Sequence, residues 1–96
     1  MIKIKQTKEF SKWLQKLTLK EQAKIYSRLE KIESFGYFGD AKHIGDGLVE
    51  SRWKNGWRVY FIKEDKSLII LLVGGNKNAQ KNDIEKARIL IKRYTN

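Results

Sequence analysis

The segment from residue 49 to residue 61 constrains the fold of this 96-residue chain more than any other feature of its sequence. Two short alternating stretches flank Asn55-Gly56, a dipeptide that is a strong local sign of a β-hairpin. A slip of one residue moves every side chain to the opposite face, so the register decides which residues share a surface. We predict a three-residue loop of residues 54–56, with Gly56 in the left-handed conformation, because this register separates apolar from charged side chains.

The predicted register gives the hairpin one apolar face and one polar face. It pairs Arg52 with Arg58, and Trp53 with Trp57. The apolar face carries Val49, Trp53, Trp57, Val59 and Phe61, and the polar face carries Glu50, Arg52, Arg58 and Tyr60. Two guanidinium groups, a carboxylate and a phenol on one surface indicate a site that handles phosphate groups.

The charge of the chain indicates an anionic partner. Lysine and arginine number 21 against 11 aspartate and glutamate residues, which gives a formal net charge of +10. A balance this basic is typical of proteins that bind nucleic acid, although solvent-facing lysines alone also produce it. The charge and the polar face of the hairpin together favour a nucleic-acid partner.

Composition also excludes several kinds of site. The chain has no cysteine and one histidine, so we expect no disulfide framework, no metal and no other cofactor. The longest apolar run, residues 68–73, is too short to cross a bilayer, and the amino terminus lacks the apolar stretch of a signal peptide. We expect a single cytoplasmic domain spanning residues 1–96, with no membrane partner.

Apolar periodicity predicts a first strand followed by an α-helical hairpin. The strand covers residues 2–6, and Thr7 caps the first helix. The apolar stripe of this helix is Phe10, Trp13, Leu14 and Leu17. Thr18 and Glu21 have the spacing of a capping box and begin a second helix that ends at Gly36. We expect the inner face of the second helix to carry Ala23, Tyr26, Leu29 and Ile32, with Ile25 beside them.

The second half of the chain predicts three strands and a closing helix. Residues 36–47 form a connecting loop with room for a short edge segment at residues 42–44. The hairpin follows, and the apolar run of residues 67–73 predicts a central strand covered on both faces. Gly74-Gly75 then turns the chain, and Asn78 caps the last helix. The inner face of that helix is Ile84, Ala87, Leu90, Ile91 and Tyr94.

The predicted fold class is α+β, with the order β-α-α-β-β-β-α. We expect a small antiparallel-dominated sheet packed against an N-terminal helical hairpin and a C-terminal helix. This order resembles the RelE/ParE superfamily of toxins from type II toxin–antitoxin modules. Within it, the chain resembles the phage-derived Gp49-like group of addiction-module killer proteins, which is related to HigB toxins. The resembling motifs are Glu-Ser-Arg at residues 50–52, Gly-Trp-Arg-Val-Tyr-Phe at 56–61, and the segments 71–80 and 83–87.

The resemblance implies a toxin that arrests growth, most simply a ribosome-dependent mRNA endoribonuclease that uses no metal. It also implies a small antitoxin as partner, commonly one with a helix-turn-helix domain, besides mRNA on the ribosome. ParE-like members of the same fold instead inhibit DNA gyrase without nuclease activity, and a degenerate member would bind only its antitoxin or DNA. The sequence leaves these two alternatives open, because a shared fold does not decide function.

The resemblance also assigns roles to residues. Arg58 matches the arginine that RelE-type nucleases place on the scissile phosphate, and Arg52 lies across from it as a second clamp. Lys77 falls where relatives place another cation. Glu50 is the candidate catalytic base, or else the partner that holds an arginine in place. The residues expected to contact RNA are Lys54, Tyr60 and Tyr94.

The chain departs from its relatives at the acid–base positions. RelE-type sites often carry a pair of lysines on the strand before the hairpin turn, where this chain has Glu50 and Arg52. HigB-type sites rely on histidines, and His43 does not stand at a matching position. The residues that would move protons are therefore left open by the sequence.

Overall fold

The protein is described by a computed structural model that covers residues 2–94. In chain order its elements are β1 (Lys3–Gln6), α1 (Lys8–Gln15), α2 (Leu19–Phe35), β2 (Ala41–Gly45), β3 (Leu48–Arg52), β4 (Trp57–Asp65), β5 (Leu68–Asn76), a 3-10 turn (Lys77–Ala79) and α3 (Gln80–Tyr94). The predicted α+β class is confirmed. The structure has one strand more than the predicted order. This strand is β2, and it forms where a short edge segment was expected.

One five-stranded sheet organises the molecule, in the order β1-β5-β4-β3-β2. β1 runs parallel to β5, whereas the other neighbouring strands are antiparallel. β5 is therefore flanked by strands on both sides, as its uninterrupted apolar sequence predicted. Helices α1 and α2 cover one face of the sheet, and α3 covers the other.

The hairpin between β3 and β4 has the predicted register. Arg52 pairs with Arg58, and the Trp53 amide donates to the Trp57 carbonyl over 3.0 Å. Gly56 has a φ of 104°, which fits glycine and disfavours other residues. The structure therefore separates the apolar and polar faces of the hairpin as expected.

The helix boundaries follow from caps that the sequence predicted. The Thr7 hydroxyl accepts from the Phe10 amide over 3.0 Å and donates to the Leu72 carbonyl, which ties the start of α1 to β5. Thr18 and Glu21 form the capping box of α2. Gly36 ends α2 with a φ of 64°.

The inner face of α2 differs from the prediction. Ile25, Leu29 and Ile32 are buried, whereas Ala23 is exposed and Tyr26 is 48% exposed. Two overlapping apolar patterns run along this helix, about one residue step apart, and periodicity alone does not decide between them. The stripe through Ile25 is the one that packs against the aromatic core of the sheet.

The two glycines at residues 74 and 75 do not turn the chain as predicted, because β5 continues through them to Asn76. A Cβ on Gly74 would overlap the indole of Trp13, and a Cβ on Gly75 would overlap the carboxylate of Asp83. Glycine is required here because helices approach the strand closely from both faces.

The start of the last helical segment also differs from the prediction. Asn76, rather than Asn78, caps the 3-10 turn, and its side-chain oxygen accepts from the Asn78 amide over 2.9 Å. On α3, Ala87 and Leu90 are buried, Ile84 and Ile91 are partly buried, and Tyr94 is 38% exposed. The strand is thus longer, and the helix shorter, than the glycines suggested.

Candidate functional site

The centre of the candidate site is a pair of arginines on the α3 face of the sheet. Arg52 on β3 and Arg58 on β4 stand directly opposite each other. Side chains in this relation have Cβ atoms about 5 Å apart, and like charges so placed destabilise a sheet. Within residues 2–94, the Nε of each arginine is buried without a hydrogen-bond partner. Two such cations with unused donors form a site that an anion would stabilise.

Arg58 is held only loosely by the protein. Its Nε lies 3.9 Å from Glu50 Oε1, beyond hydrogen-bond distance, and its Nη1 donates to the Trp57 carbonyl over 3.2 Å. The side chain of Arg58 is 17% exposed. The guanidinium therefore has a partner charge nearby but keeps donors available for a ligand.

Glu50 lies beneath this arginine and is closed off from solvent. Its side chain is 1% exposed, and Oε2 accepts from the Gln80 side chain over 2.7 Å. Gln80 is the first residue of α3, so its hydrogen bond holds the Glu50 carboxylate in place at the start of that helix. The other carboxylate oxygen of Glu50 faces Arg58. A buried, doubly engaged carboxylate suits the positioning of a cation better than proton exchange with a substrate.

Tyr60 adds a buried hydroxyl to the same face. The residue is fully buried, and its hydroxyl has no hydrogen-bond partner in the described part of the chain. Burial raises the pKa of Tyr60 well above its usual value, and the negative charge of Glu50 raises it further. The phenol is therefore protonated at neutral pH. Tyr60 stands opposite Glu50 in the strand register, and its ring is part of the buried core beneath the site.

Arg52 and Lys77 lie at the open side of the arginine pair. Arg52 Nη2 pairs with Asp40 Oδ1 over 3.1 Å, and both side chains are partly exposed. Lys77 is exposed, and its aliphatic stem lies against the hairpin loop at Gly56. A surface pair of this kind contributes little stability, so an anionic ligand can compete with Asp40 for Arg52.

The structure does not bring Lys54 and Tyr94 to the arginine pair. Lys54 is exposed in the hairpin loop and lines a cleft on the opposite, α2 side of the hairpin. Tyr94 stands at the far end of α3, about 20 Å along the helix axis from Gln80. Tyr94 therefore lies far along α3 from the helix start that contacts Glu50, and its expected contact with RNA stays a prediction.

Asp83 is a buried carboxylate that sequence reasoning missed. It is 8% exposed, and its Oδ2 has no hydrogen-bond partner among the described residues. Burial raises the pKa of Asp83 above its usual 3.8, and the positive charge of Lys86 opposes this rise. The close approach to Gly75 explains the position, and the Gly-Gly pair was the available signal that a helix packs there.

We expect Asp83→Asn to remove one component of the pH dependence of stability. The folded state binds the Asp83 proton more tightly than the unfolded state, so this contribution is full below pH 3.8 and is lost as pH rises through the folded pKa. The variant should melt above wild type at pH 7 and closer to wild type at pH 3, because only the ionised form of Asp83 is disfavoured by burial. Thermal melts at pH 3 and pH 7 test this: an equal difference at both pH values would contradict it.

In residues 2–94, no cluster of three or more histidine, aspartate or glutamate side chains could hold a metal ion. None of the described helices combines the length and apolar character needed to span a membrane.

Solved structures share this fold. The chain matches a chain of the intact E. coli RelBE toxin–antitoxin complex with a TM-score of 0.67 and 13% identity, over 79% of this chain and 96% of that one. It matches the isolated E. coli RelE toxin with a TM-score of 0.63 and 12% identity, over 90% and 98% of the two chains. Identities this low establish the RelE-type fold alone.

Sequence comparison defines the family. The family described as Phage derived protein Gp49-like matches residues 12–95. An uncharacterized protein of Haemophilus influenzae is 44% identical over 92 residues, which cover 93% of this chain and 92% of that protein. The chain belongs to the phage-derived Gp49-like family, and the resemblance inferred from its motifs is confirmed.

Proposed function

We propose that this protein is the toxin of a type II toxin–antitoxin module and that it cleaves mRNA on the ribosome. The observation that carries the proposal is the pair of arginines that stand opposite each other on the sheet, Arg52 and Arg58, each with an Nε that has no hydrogen-bond partner among the described residues. The fold supports it, because the neighbouring solved structures are a RelE toxin and RelBE toxin–antitoxin complexes.

The proposed reaction needs no metal. The 2′-hydroxyl of a ribose attacks the adjacent phosphorus, an O2′–P bond forms and the P–O5′ bond breaks. The 2′-hydroxyl loses a proton and the leaving 5′ oxygen gains one, which leaves a 2′,3′-cyclic phosphate and a 5′-hydroxyl. Negative charge builds on the phosphorane oxygens in between, and preorganised cations stabilise this charge.

Arg58 is the residue that we place on the phosphorane. Its planar guanidinium offers parallel donors to two phosphate oxygens, and the side chain is 17% exposed, with one hydrogen bond to the Trp57 carbonyl within the described chain. Arg52 contributes from the opposite strand after exchanging Asp40 for the phosphate. Lys77, beside the hairpin loop, adds a third positive charge. Arg52 and Arg58 come from the two strands of one hairpin, and Lys77 comes from the 3-10 turn after β5.

Glu50 is proposed as a positioning residue for Arg58 and not as the base. A general base typically accelerates a reaction by about a hundred- to ten-thousandfold, and substitution by glutamine would remove that acceleration entirely. We expect Glu50→Gln to lower the cleavage rate by about tenfold or less and to leave the shape of the pH–rate profile unchanged. Loss of one limb of that profile, measured on isolated ribosomes, would identify Glu50 as the base and contradict this assignment.

The proposed partner is a small antitoxin, commonly with a helix-turn-helix domain, and the proposed location is the cytoplasm, where ribosomes are. A net charge of +10 favours a partner that carries acidic groups. Binding over the arginine pair would block access of RNA. Co-expression with the antitoxin is therefore expected to restore growth.

Brief expression in growing cells tests the proposal against its alternatives. Labelled methionine and thymidine incorporation report translation and DNA synthesis in the same culture. An mRNA endoribonuclease stops methionine incorporation first. Early DNA damage with translation intact would favour gyrase inhibition, and normal growth would indicate a degenerate toxin; either result contradicts the proposal.

A further inference from the structure

A cleft of about 370 Å³ opens on the other side of the hairpin from the arginine pair, between the hairpin and α2. Its lining residues are Lys24, Arg28, Trp53, Lys54, Asn55 and Trp57. Three of these side chains are cations, two are indoles and none is a carboxylate. The volume is within the range of pockets that hold a small ligand.

The three cations of this cleft differ in burial and in the number of contacts that hold them. Arg28 is fixed: its Nη1 donates to Ser51 Oγ over 3.0 Å and to the Arg52 carbonyl, and its guanidinium lies 3.9 Å from the centroid of the Trp53 ring. Burial lowers the pKa of Arg28, which still leaves it charged at neutral pH. Lys24 and Lys54 are exposed and can follow a phosphate backbone. Arg28 is thus a fixed cation in the lining of the cleft, whereas Lys24 and Lys54 are exposed cations at its edge.

Asn55 has one side of its amide unused. Its Oδ1 accepts from the Trp57 backbone amide over 3.1 Å, which orients the side chain and leaves the NH₂ group exposed at the cleft. An amide donor, an indole surface and flanking cations are the parts with which proteins bind single-stranded nucleic acid. Stacking on an aromatic ring accepts any base, so such a cleft is sequence-tolerant.

We propose that this cleft binds one nucleotide of single-stranded RNA, with the base against the partly exposed Trp53 indole and the flanking phosphates on Lys24 and Lys54. The hairpin loop separates the cleft from the arginine pair, and Lys77 lies across Gly56 between them. A strand that passes over this loop contacts both sites. The choice of RNA as the ligand rests on the proposed function. On that basis, the cleft binds the mRNA next to the scissile phosphate.

The test measures binding apart from cleavage. Fluorescence anisotropy of a labelled oligouridylate is recorded with purified protein at several salt concentrations. We expect Lys24→Ala with Lys54→Ala to weaken binding about tenfold or more and to reduce the salt slope by about 1.4, since each phosphate contact on a single strand contributes about 0.7. The matched control is Lys31→Ala with Lys66→Ala, which removes the same charge at exposed positions outside the cleft. An equal loss in both variants would show general charge attraction and overturn the proposal.

Stacking is tested separately. Trp53→Leu keeps an apolar side chain of substantial size and is expected to weaken oligouridylate binding by at least about fivefold. Thermal melts establish that the variant is folded. Unchanged oligouridylate binding by the folded variant would show that Trp53 does not stack on a base and that the proposal is wrong. Tighter binding of an oligoglutamate peptide than of oligouridylate would show that the cleft binds an acidic protein segment, which also contradicts the proposal.

These outcomes are independent of the proposed nuclease activity. Oligouridylate binding that depends on the cleft, in a protein that cuts no mRNA in cells, would support the cleft and refute the nuclease. Codon-phased cuts in cells, with wild-type oligouridylate binding by both cleft variants, would refute the cleft and leave the nuclease standing.

Discussion

Alanine in place of Arg58 is expected to lower the rate of ribosome-dependent mRNA cleavage by at least about a hundredfold and to abolish growth arrest. Removing one preorganised donor from a developing oxyanion costs roughly a hundred- to a thousandfold in rate. Arg58 is the arginine of the pair that faces Glu50, and within residues 2–94 it pairs with no surface carboxylate, unlike Arg52. The measurement is single-turnover cleavage of an mRNA bound to isolated ribosomes.

Three variants separate chemistry from charge and folding. Arg93→Ala removes an exposed arginine on α3 that pairs with Glu9, and it should cleave like wild type. Arg58→Lys keeps the charge without the planar fork, so it should remain well below wild type. Because Arg58→Ala leaves the buried Glu50 carboxylate without its cation, it should also melt lower. The double variant with Glu50→Gln should recover that stability and stay inactive; recovery of activity would contradict the role of Arg58.

Gly74→Ala is expected to destabilise the protein strongly. A methyl group there would enter the space of the Trp13 indole, and Trp13 packs against the aromatic core under α1. Overpacking of this kind costs about 1–3 kcal/mol and more where the backbone cannot shift. We expect a loss near 3 kcal/mol, or more than about 10 °C in melting temperature. Urea denaturation measures it.

Gly47→Ala provides the contrast for this prediction. Gly47 has a φ of 81° and nothing near the added Cβ, so only backbone strain is expected, on the order of 1 kcal/mol. A second test places Gly74→Ala in a Trp13→Leu background, where the substitution should cost much less. An equal cost in both backgrounds would show that the indole is not what excludes a side chain.

The hairpin shows how far a sequence can predict a site. Its register followed from the position of Gly56 and from the separation of apolar and charged residues, and the structure has the same pairing. Once the register is fixed, the sharing of one face by Glu50, Arg52 and Arg58 follows from strand geometry alone. Local chemistry was therefore sufficient for the centre of the candidate site.

The contacts contributed by α3 could not be predicted in the same way. Gln80 reaches Glu50 and Asp83 approaches Gly75 only because the helix crosses back over the sheet. The direction of that crossing depends on packing between residues far apart in the chain. Without that direction, the sequence also does not show that Gly74 and Gly75 allow helices to pack closely and do not form a turn.

Mapping of 5′ ends on ribosome-bound mRNA, after brief induction of the wild-type protein and of Arg58→Ala, tests the central claim most directly. The proposed mechanism predicts new 5′ ends in phase with codons for wild type and their absence for the variant at equal protein level. Growth arrest by wild type with intact messages would contradict it, and so would the same 5′ ends in both strains.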